Sequence, residues 1–343
     1  MAITCLFAVA CSGSTPGSWP GLTANQEMTF VSNASYVYAL HTNDGTLAWK
    51  FPATAVSGQS FYAAPILSPD GAQLIVGNFG TTLYSLDPTN GNQKWSFTRA
   101  KDRWIGPVLI SGDTIYAPSS DSNLYALDLQ GVLKWVFNTK GAIWSQPVTD
   151  GKTIYLTSMD HYLYAIQPVD GKKIWATDLG AAIVSTPLLD ENGNIYVGTL
   201  GNEVLAVHAS DGKILWRTMT SGSIWSPPVL QNNVLYLSDL NGQIYALSVD
   251  KGEILWQHKV NGSVIGSPIF TPKGLVVGDE KGNLTALELN GNSLWSKTFN
   301  GKLYTSPVYQ SSYILVTITG SSDNLVVALD VDGNQKWAFN PPK

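Results

Sequence analysis

Residues 162–176 read YLYAIQPVDGKKIWA: an apolar run with a small residue, Ala165, inside it, then Asp170-Gly171, then three residues and Trp175. Short apolar runs between clusters of Gly, Asn, Asp and Ser are the pattern of strands joined by turns. Gly171 supplies the positive φ that a tight hairpin needs. Upstream, Gln146-Pro147-Val148 and Thr153-Ile154-Tyr155-Leu156 have the same character, so the stretch is the second half of a unit of four short strands. No segment sustains a helical period.

The unit recurs. A Gly followed four residues later by Trp occurs eight times, at Gly45/Trp49, Gly91/Trp95, Gly131/Trp135, Gly171/Trp175, Gly212/Trp216, Gly252/Trp256, Gly291/Trp295 and Gly333/Trp337, with 39 to 46 residues between successive Trp. Five or six residues before each Gly stands a small residue in an apolar run: Ala39, Ser85, Ala126, Ala165, Ala206, Ala246, Ala286 and Ala328. A Pro precedes each Trp by 27 to 30 positions, at Pro20, Pro65, Pro107, Pro147, Pro187, Pro228, Pro268 and Pro307. Four-stranded units at this period imply an all-β, eight-bladed β-propeller, because radial repetition buries each sheet against its neighbours. The first unit begins at Trp19-Pro20 and the last ends just after Trp337, so each blade is expected to be mostly one continuous segment. WD40 repeats share the period but follow Trp with Asp, which none of these units does.

The pattern of small-residue strand, Asp/Asn-Gly, three residues and Trp resembles the repeats of pyrroloquinoline quinone (PQQ) propellers. That family includes the quinoprotein alcohol dehydrogenases and BamB, the lipoprotein of the outer-membrane assembly machinery, which is the most similar of its characterised members. The resemblance covers residues 19–339. It implies that Trp49, Trp95, Trp135, Trp175, Trp216, Trp256, Trp295 and Trp337 dock adjacent blades. The physics agrees, since an indole buries a large apolar area while its N–H can reach a backbone acceptor.

The chain has 343 residues, 44% hydrophobic and 13% charged, with 32 Gly and 18 Pro, which is the balance of a packed, turn-rich globule and excludes disorder. Lys plus Arg number 20 against 25 Asp plus Glu, a net charge of -5, which argues against a dedicated nucleic-acid binder. The two cysteines, Cys5 and Cys11, both stand near the N-terminus, so nothing after position 11 offers thiolate chemistry. Residues 2–10 (AITCLFAVA) form an apolar run too short to span a membrane and read as the core of a secretion signal. Ala8-Val9-Ala10-Cys11-Ser12 resembles a bacterial lipoprotein processing site, which implies that Cys11 is lipidated and becomes the mature N-terminus. A plainly cleaved signal and an apolar tail with an unremarkable Cys are the alternatives. The expected organisation is a signal remnant over 1–10, a lipidated Cys and flexible linker over 11–18, and one propeller over 19–343.

Catalytic patterns are sparse. The units leave no room for the inserts of quinoprotein dehydrogenases, and no Cys-Cys pair is present. His41, His161, His208 and His258 form no zinc-type pair. His41 and His208 stand where other units carry Asp87, Asp128 and Asp330, which points to hairpin hydrogen bonding. One constellation remains. Three residues before the repeat Pro stand Tyr62, Trp104, Trp144, Val184, Trp225, Ile265 and Tyr304, so Tyr62, Trp104, Trp144, Trp225 and Tyr304 form a candidate binding face at the mouth of a central channel. The competing reading packs them between blades. The expected function is a non-catalytic, lipid-anchored cell-envelope scaffold with an envelope protein partner, monomeric, without cofactor, metal or nucleic acid. The alternative is a PQQ- or small-ligand-binding quinoprotein-type propeller.

Overall fold

The computed structural model describes residues 20–321 and 324–342; the proposed signal, Cys11 and the linker lie outside them. The described chain is eight four-stranded antiparallel sheets, each built from four consecutive strands in chain order. The blades cover residues 21–51, 66–97, 109–138, 148–178, 188–219, 229–259, 269–298 and 308–339 and are numbered 1 to 8. Blade 4 is typical, with strands Val148–Thr149, Ile154–Thr157, Tyr162–Ile166 and Lys173–Asp178. The second and third strands of each blade are buried on both faces, as Ile154–Thr157 is throughout, whereas the fourth alternates and forms the outer edge.

Eight hydrophobic clusters hold the ring, each spanning one pair of adjacent blades. Register shows why the repeat marks are where they are. Each small residue of the third strand pairs directly with the Trp of the fourth, as Ala126 with Trp135 and Ala165 with Trp175. The bare Cβ leaves room for the indole to reach across to the second strand, where Tyr116, Tyr155, Tyr196 and Tyr236 lie 5.8–6.0 Å from Trp135, Trp175, Trp216 and Trp256. In every blade the ladder then shifts register by one residue beside that small residue, a bulge that leads the strand into its hairpin.

The Trp docks on the Gly of the next blade's motif. An added Cβ at Gly131 would lie 2.6 Å from Trp95, at Gly171 2.6 Å from Trp135, and at Gly252 2.4 Å from Trp216. These glycines also sit at φ of 81°, 72° and 68°, so backbone conformation and close approach both require the missing side chain. Each indole N–H donates across the interface: Trp49 to the Pro88 carbonyl at 2.9 Å, Trp135 to Pro168 at 2.9 Å, Trp216 to Val249 at 2.8 Å. Trp95, Trp175, Trp256 and Trp295 donate likewise to Leu129, Ala209, Leu289 and Val331.

The ring closes the same way. Trp337 packs on Gly45 of blade 1 and donates to the Thr42 carbonyl at 3.0 Å. Among the described residues no strand is shared across this seam, and each blade is one continuous segment as expected. Thr305 adds a hydrogen bond to the Pro20 carbonyl at 2.5 Å.

Candidate functional site

An antiparallel meander puts two kinds of connection on each end of the ring. Turns from second to third strand share one face with the links between blades. Hairpins from first to second and from third to fourth strand share the other. On the link face, each link bonds to the turn of the blade before it: the amides of Ile143, Ile183, Ile224, Val264 and Leu303 donate to carbonyls of Ser119, Ser158, Thr199, Asp239 and Asp279 at 3.0–3.3 Å. All five side chains are buried. The next residue in an extended chain points the opposite way, which puts Trp144, Val184, Trp225, Ile265 and Tyr304 on the axial side.

The structure brings Trp144 and Trp225 together, with ring centroids 6.2 Å apart and planes at 50°. They enter blades 4 and 6, so blade 5 lies between them in the chain and the pair meets across it on the link face. Both are half-buried, and Trp144 donates to the Ser120 hydroxyl at 3.1 Å. Tyr304 is also half-buried. Tyr62 is 8% exposed and stands edge-on to Phe79, with centroids 4.7 Å apart. The Arg103 guanidinium covers Phe79 at 4.6 Å.

Trp104 is not axial. It is 1% exposed, packs against Phe97 and Tyr125, and rests on Gly77, where an added Cβ would come within 2.2 Å. Its amide donates to the Asn78 carbonyl at 3.1 Å, the bond that the buried residues Ile143 and Ile183 make in their own links. Its indole N–H has no partner. Strand register explains the displacement. Leu109 pairs with Tyr116 as Val148 pairs with Tyr155, so Val108 occupies the position of Pro147 and Pro107 comes one residue early. The axial position is Ile105. In blade 1, Thr23 pairs with Phe30, which puts Leu22 at the Pro position and Pro20 two residues ahead of it. The candidate face therefore loses Trp104, keeps Tyr62 as a largely buried support, and centres on Trp144, Trp225 and Tyr304. Phe79 and Arg103 escape the repeat arithmetic because they stand off the Pro register.

Four acids of this face are drawn into its turns, while Asp178 at its rim is exposed. Asp239 is 0% exposed and accepts from Ser221 at 2.6 Å and Tyr245 at 2.8 Å. Asp279, also buried, accepts amides of Gly262, Lys281 and Asn283 at 2.9–3.1 Å. Asp121 and Asp160 each accept from a tyrosine, Tyr125 and Tyr164, at 2.7 Å. Burial, then these acceptor carboxylates, push both phenols well above the ordinary range. Lys302 lies 5.5 Å from the centre of the Tyr304 ring, whose hydroxyl pushes the ammonium pKa up.

The opposite face is acidic and its carboxylates are exposed. Asp170, Asp211 and Asp330 pair with Lys172, Lys213 and Lys336 at 2.7–2.9 Å. Those lysine bonds are the leading cause holding all three below the usual carboxylate range, Asp211 at about 2. His208 bonds Ser210 at 3.0 Å and Asp211 at 3.2 Å within its hairpin, and His258 meets the Gly291 carbonyl of the next blade at 3.2 Å. Two open crevices of about 420 and 460 Å³ lie between blades 3 and 4 and blades 4 and 5 on this face, where hairpins splay apart.

Among the described residues no three His, Cys, Asp or Glu side chains cluster so as to hold a metal ion.

Comparison with known proteins is consistent across sequence and structure. The family described as "Outer membrane protein assembly factor BamB" matches residues 33–143, 137–194, 191–302 and 273–342. A protein of that name from Nitrosomonas eutropha is 28% identical over 107 residues, 31% of this chain and 26% of that protein. A serine/threonine-protein kinase, AfsK, from Streptomyces griseus is 29% identical over 120 residues, 34% of this chain and 14% of the kinase. The matched stretches thus span 26% and 14% of these relatives' own length. In structure, BamB from Moraxella catarrhalis superposes with a TM-score of 0.72 over 94% of both chains at 18% identity. The computationally designed Ika8 protein gives 0.75 over 95% of this chain and 98% of the other at 12% identity. At such identities these two report the fold.

Proposed function

The chain belongs to the BamB family of propellers, and from that premise we propose that it is a non-catalytic interaction scaffold of the bacterial cell envelope, held to a membrane by a lipid on Cys11. One observation carries the scaffold reading. The eight Trp, the eight Gly and the small residues opposite them are all consumed in docking blades, and the half-buried Trp144 and Trp225, which take no part in docking, meet on the link face. A ring held by its own packing presents a rigid face, which is what a binding module requires.

The anchor rests on the lipoprotein-like Ala8-Val9-Ala10-Cys11-Ser12, and the envelope location on that segment together with the family. Fractionation of cells making the chain and its Cys11→Ser variant tests it. The parent should remain with membranes and the variant should be released; equal distribution of the two removes the anchor. The non-catalytic reading is tested by adding PQQ with calcium to purified protein. A bound chromophore with dye-linked alcohol oxidation would replace the scaffold with a quinoprotein.

A further inference from the structure

Six Asn-Gly pairs occur in the chain, at Asn90, Asn192, Asn241, Asn261, Asn290 and Asn300, and all six asparagines are exposed. In this dipeptide the amide nitrogen of the second residue reaches the side-chain Cγ of the first most readily, because glycine brings no Cβ into its path. A hydrogen bond donated by the attacking N–H holds the attack back, and so does a hydrogen bond made by the asparagine side chain. Five of the glycine amides are engaged. Gly91, Gly193, Gly242 and Gly291 donate to the carbonyls of Asp87, Asp190, Asp239 and Glu288 at 2.8–3.3 Å, and Gly262 donates to the Asp279 carboxylate at 3.1 Å. The side chains of Asn90, Asn241 and Asn290 are tied as well, to the Asn92 amide, the Ser221 carbonyl and the Asn292 amide at 2.6–2.9 Å. Gly301 differs: among the described residues its amide has no acceptor, and the Asn300 side chain has no partner. One residue of blade 8 accounts for this. Gly262 and Gly301 hold the same place in their links, two residues before the buried Val264 and Leu303. Asp279, which binds the Gly262 amide, follows the second strand of blade 7, Gly274–Gly278; after the second strand of blade 8, Tyr313–Thr317, stands Ile318. A Cβ added at Gly301 would lie 2.5 Å from Ile318, so an apolar side chain occupies the place of the acceptor.

We propose that Asn300, in the link between blades 7 and 8, is a site of spontaneous deamidation. The Gly301 nitrogen gives its proton to solvent and bonds to the Asn300 Cγ; the bond from Cγ to the side-chain nitrogen breaks, and that nitrogen takes a proton and leaves as ammonia. The succinimide so formed takes up one water and opens to aspartate or isoaspartate. The modification is independent of the scaffold reading. It puts a new carboxylate two residues from Lys302. The iso form also lengthens the main chain of a link whose Lys302 and Leu303 amides donate to the Thr319 and Asp279 carbonyls at 2.9 and 3.2 Å.

The test incubates the purified full-length chain in detergent at physiological pH and temperature, in water enriched in heavy oxygen, with a second sample unfolded in guanidinium chloride. Peptide mass spectrometry after digestion in acid reads the conversion of amide to acid at each of the six sites, and the heavy oxygen marks acid formed during the incubation. In the unfolded sample the six sites should convert at comparable rates. In the folded chain Asn300 should lead each of the other five by about tenfold or more, because they must first give up an amide hydrogen bond. Ile318→Asp, which restores the acceptor, should slow conversion at Asn300 toward the rate of Asn261. If that variant fails to fold, the ranking of the six sites in the parent still decides the matter. Conversion at Asn300 no faster than at the hydrogen-bonded sites of the folded chain, or acid at Asn300 without heavy oxygen, would overturn the proposal.

Discussion

At Trp135 one side chain does three jobs: it covers Tyr116 of its own blade, rests on Gly171 of the next, and donates to the Pro168 carbonyl at 2.9 Å. Trp135→Ala should therefore cost about 3–5 kcal/mol in urea unfolding, and Trp135→Phe, which keeps most of the area, should lose about 1 kcal/mol for the missing hydrogen bond alone. Gly171→Ala should destabilise as well, since φ is 72° and the indole is 2.6 Å away. The Gly–Trp pairing is legible in sequence because spacing alone exposes it; that the Trp meets the Gly of the following blade and not its own is a fact of three dimensions. Trp104 is misplaced by counting from Pro107, which stands one residue ahead of the strand position that Pro147 holds, so three residues back from it lies the buried side of the link. Ionisable residues add a pH dependence. The hairpin acids Asp170, Asp211 and Asp330 are held below the usual range, so their contribution is complete above about pH 4 and fades as pH falls toward about 2. Burial pushes Tyr38 up to about 12, and its contribution, present below about pH 10, is lost as pH rises through that value. Urea midpoints across pH should be level near neutrality and fall at both ends; a maximum in the acid range would contradict these assignments.

The blade interface is the unit of stability, and the seam between blades 8 and 1 is the one interface that no chain crosses within the described ring. Leu22, Val31, Tyr38 and Leu40 meet Leu315, Val326, Trp337 and Phe339 there in one buried cluster. Trp337→Ala should open this seam first, raising amide exchange in blades 1 and 8 well before the others. Uniform acceleration around the ring would mean that the seam is no weaker than its neighbours. The outer strands differ among themselves. The residue before the docking Trp is Lys94, Lys134 and Lys336 in blades 2, 3 and 8, where a charge guards an open edge. In blades 4 to 7 it is Ile174, Leu215, Leu255 and Leu294, exposed by 39–54%. Leu215→Lys with Leu255→Lys should lower light scattering at high protein concentration without changing the unfolding midpoint.

Composition reports a net charge of -5 and favours recognition by shape over steering, and exposed lysines and carboxylates stand on both faces of the ring, Lys140 with Asp178 on the link face and Lys172 with Asp170 on the other. The architecture was legible because eight copies repeat the same marks. The site was legible in part: Trp144, Trp225 and Tyr304 share one repeat position, three residues before the Pro, whereas Phe79, Arg103 and Lys302 stand off that register, and the meeting of two indoles from different blades is set by the ring. Site-specific photo-cross-linking in living cells addresses the central claim most directly, with the photoreactive residue at Tyr304 or Lys140 on the link face and at Lys172 on the other. An interaction scaffold requires a discrete adduct to an envelope protein. A contact face centred on Trp144 and Trp225 requires that adduct from Tyr304 or Lys140 and none from Lys172. No protein adduct from any of the three positions, with the chain made at its normal level, would contradict it.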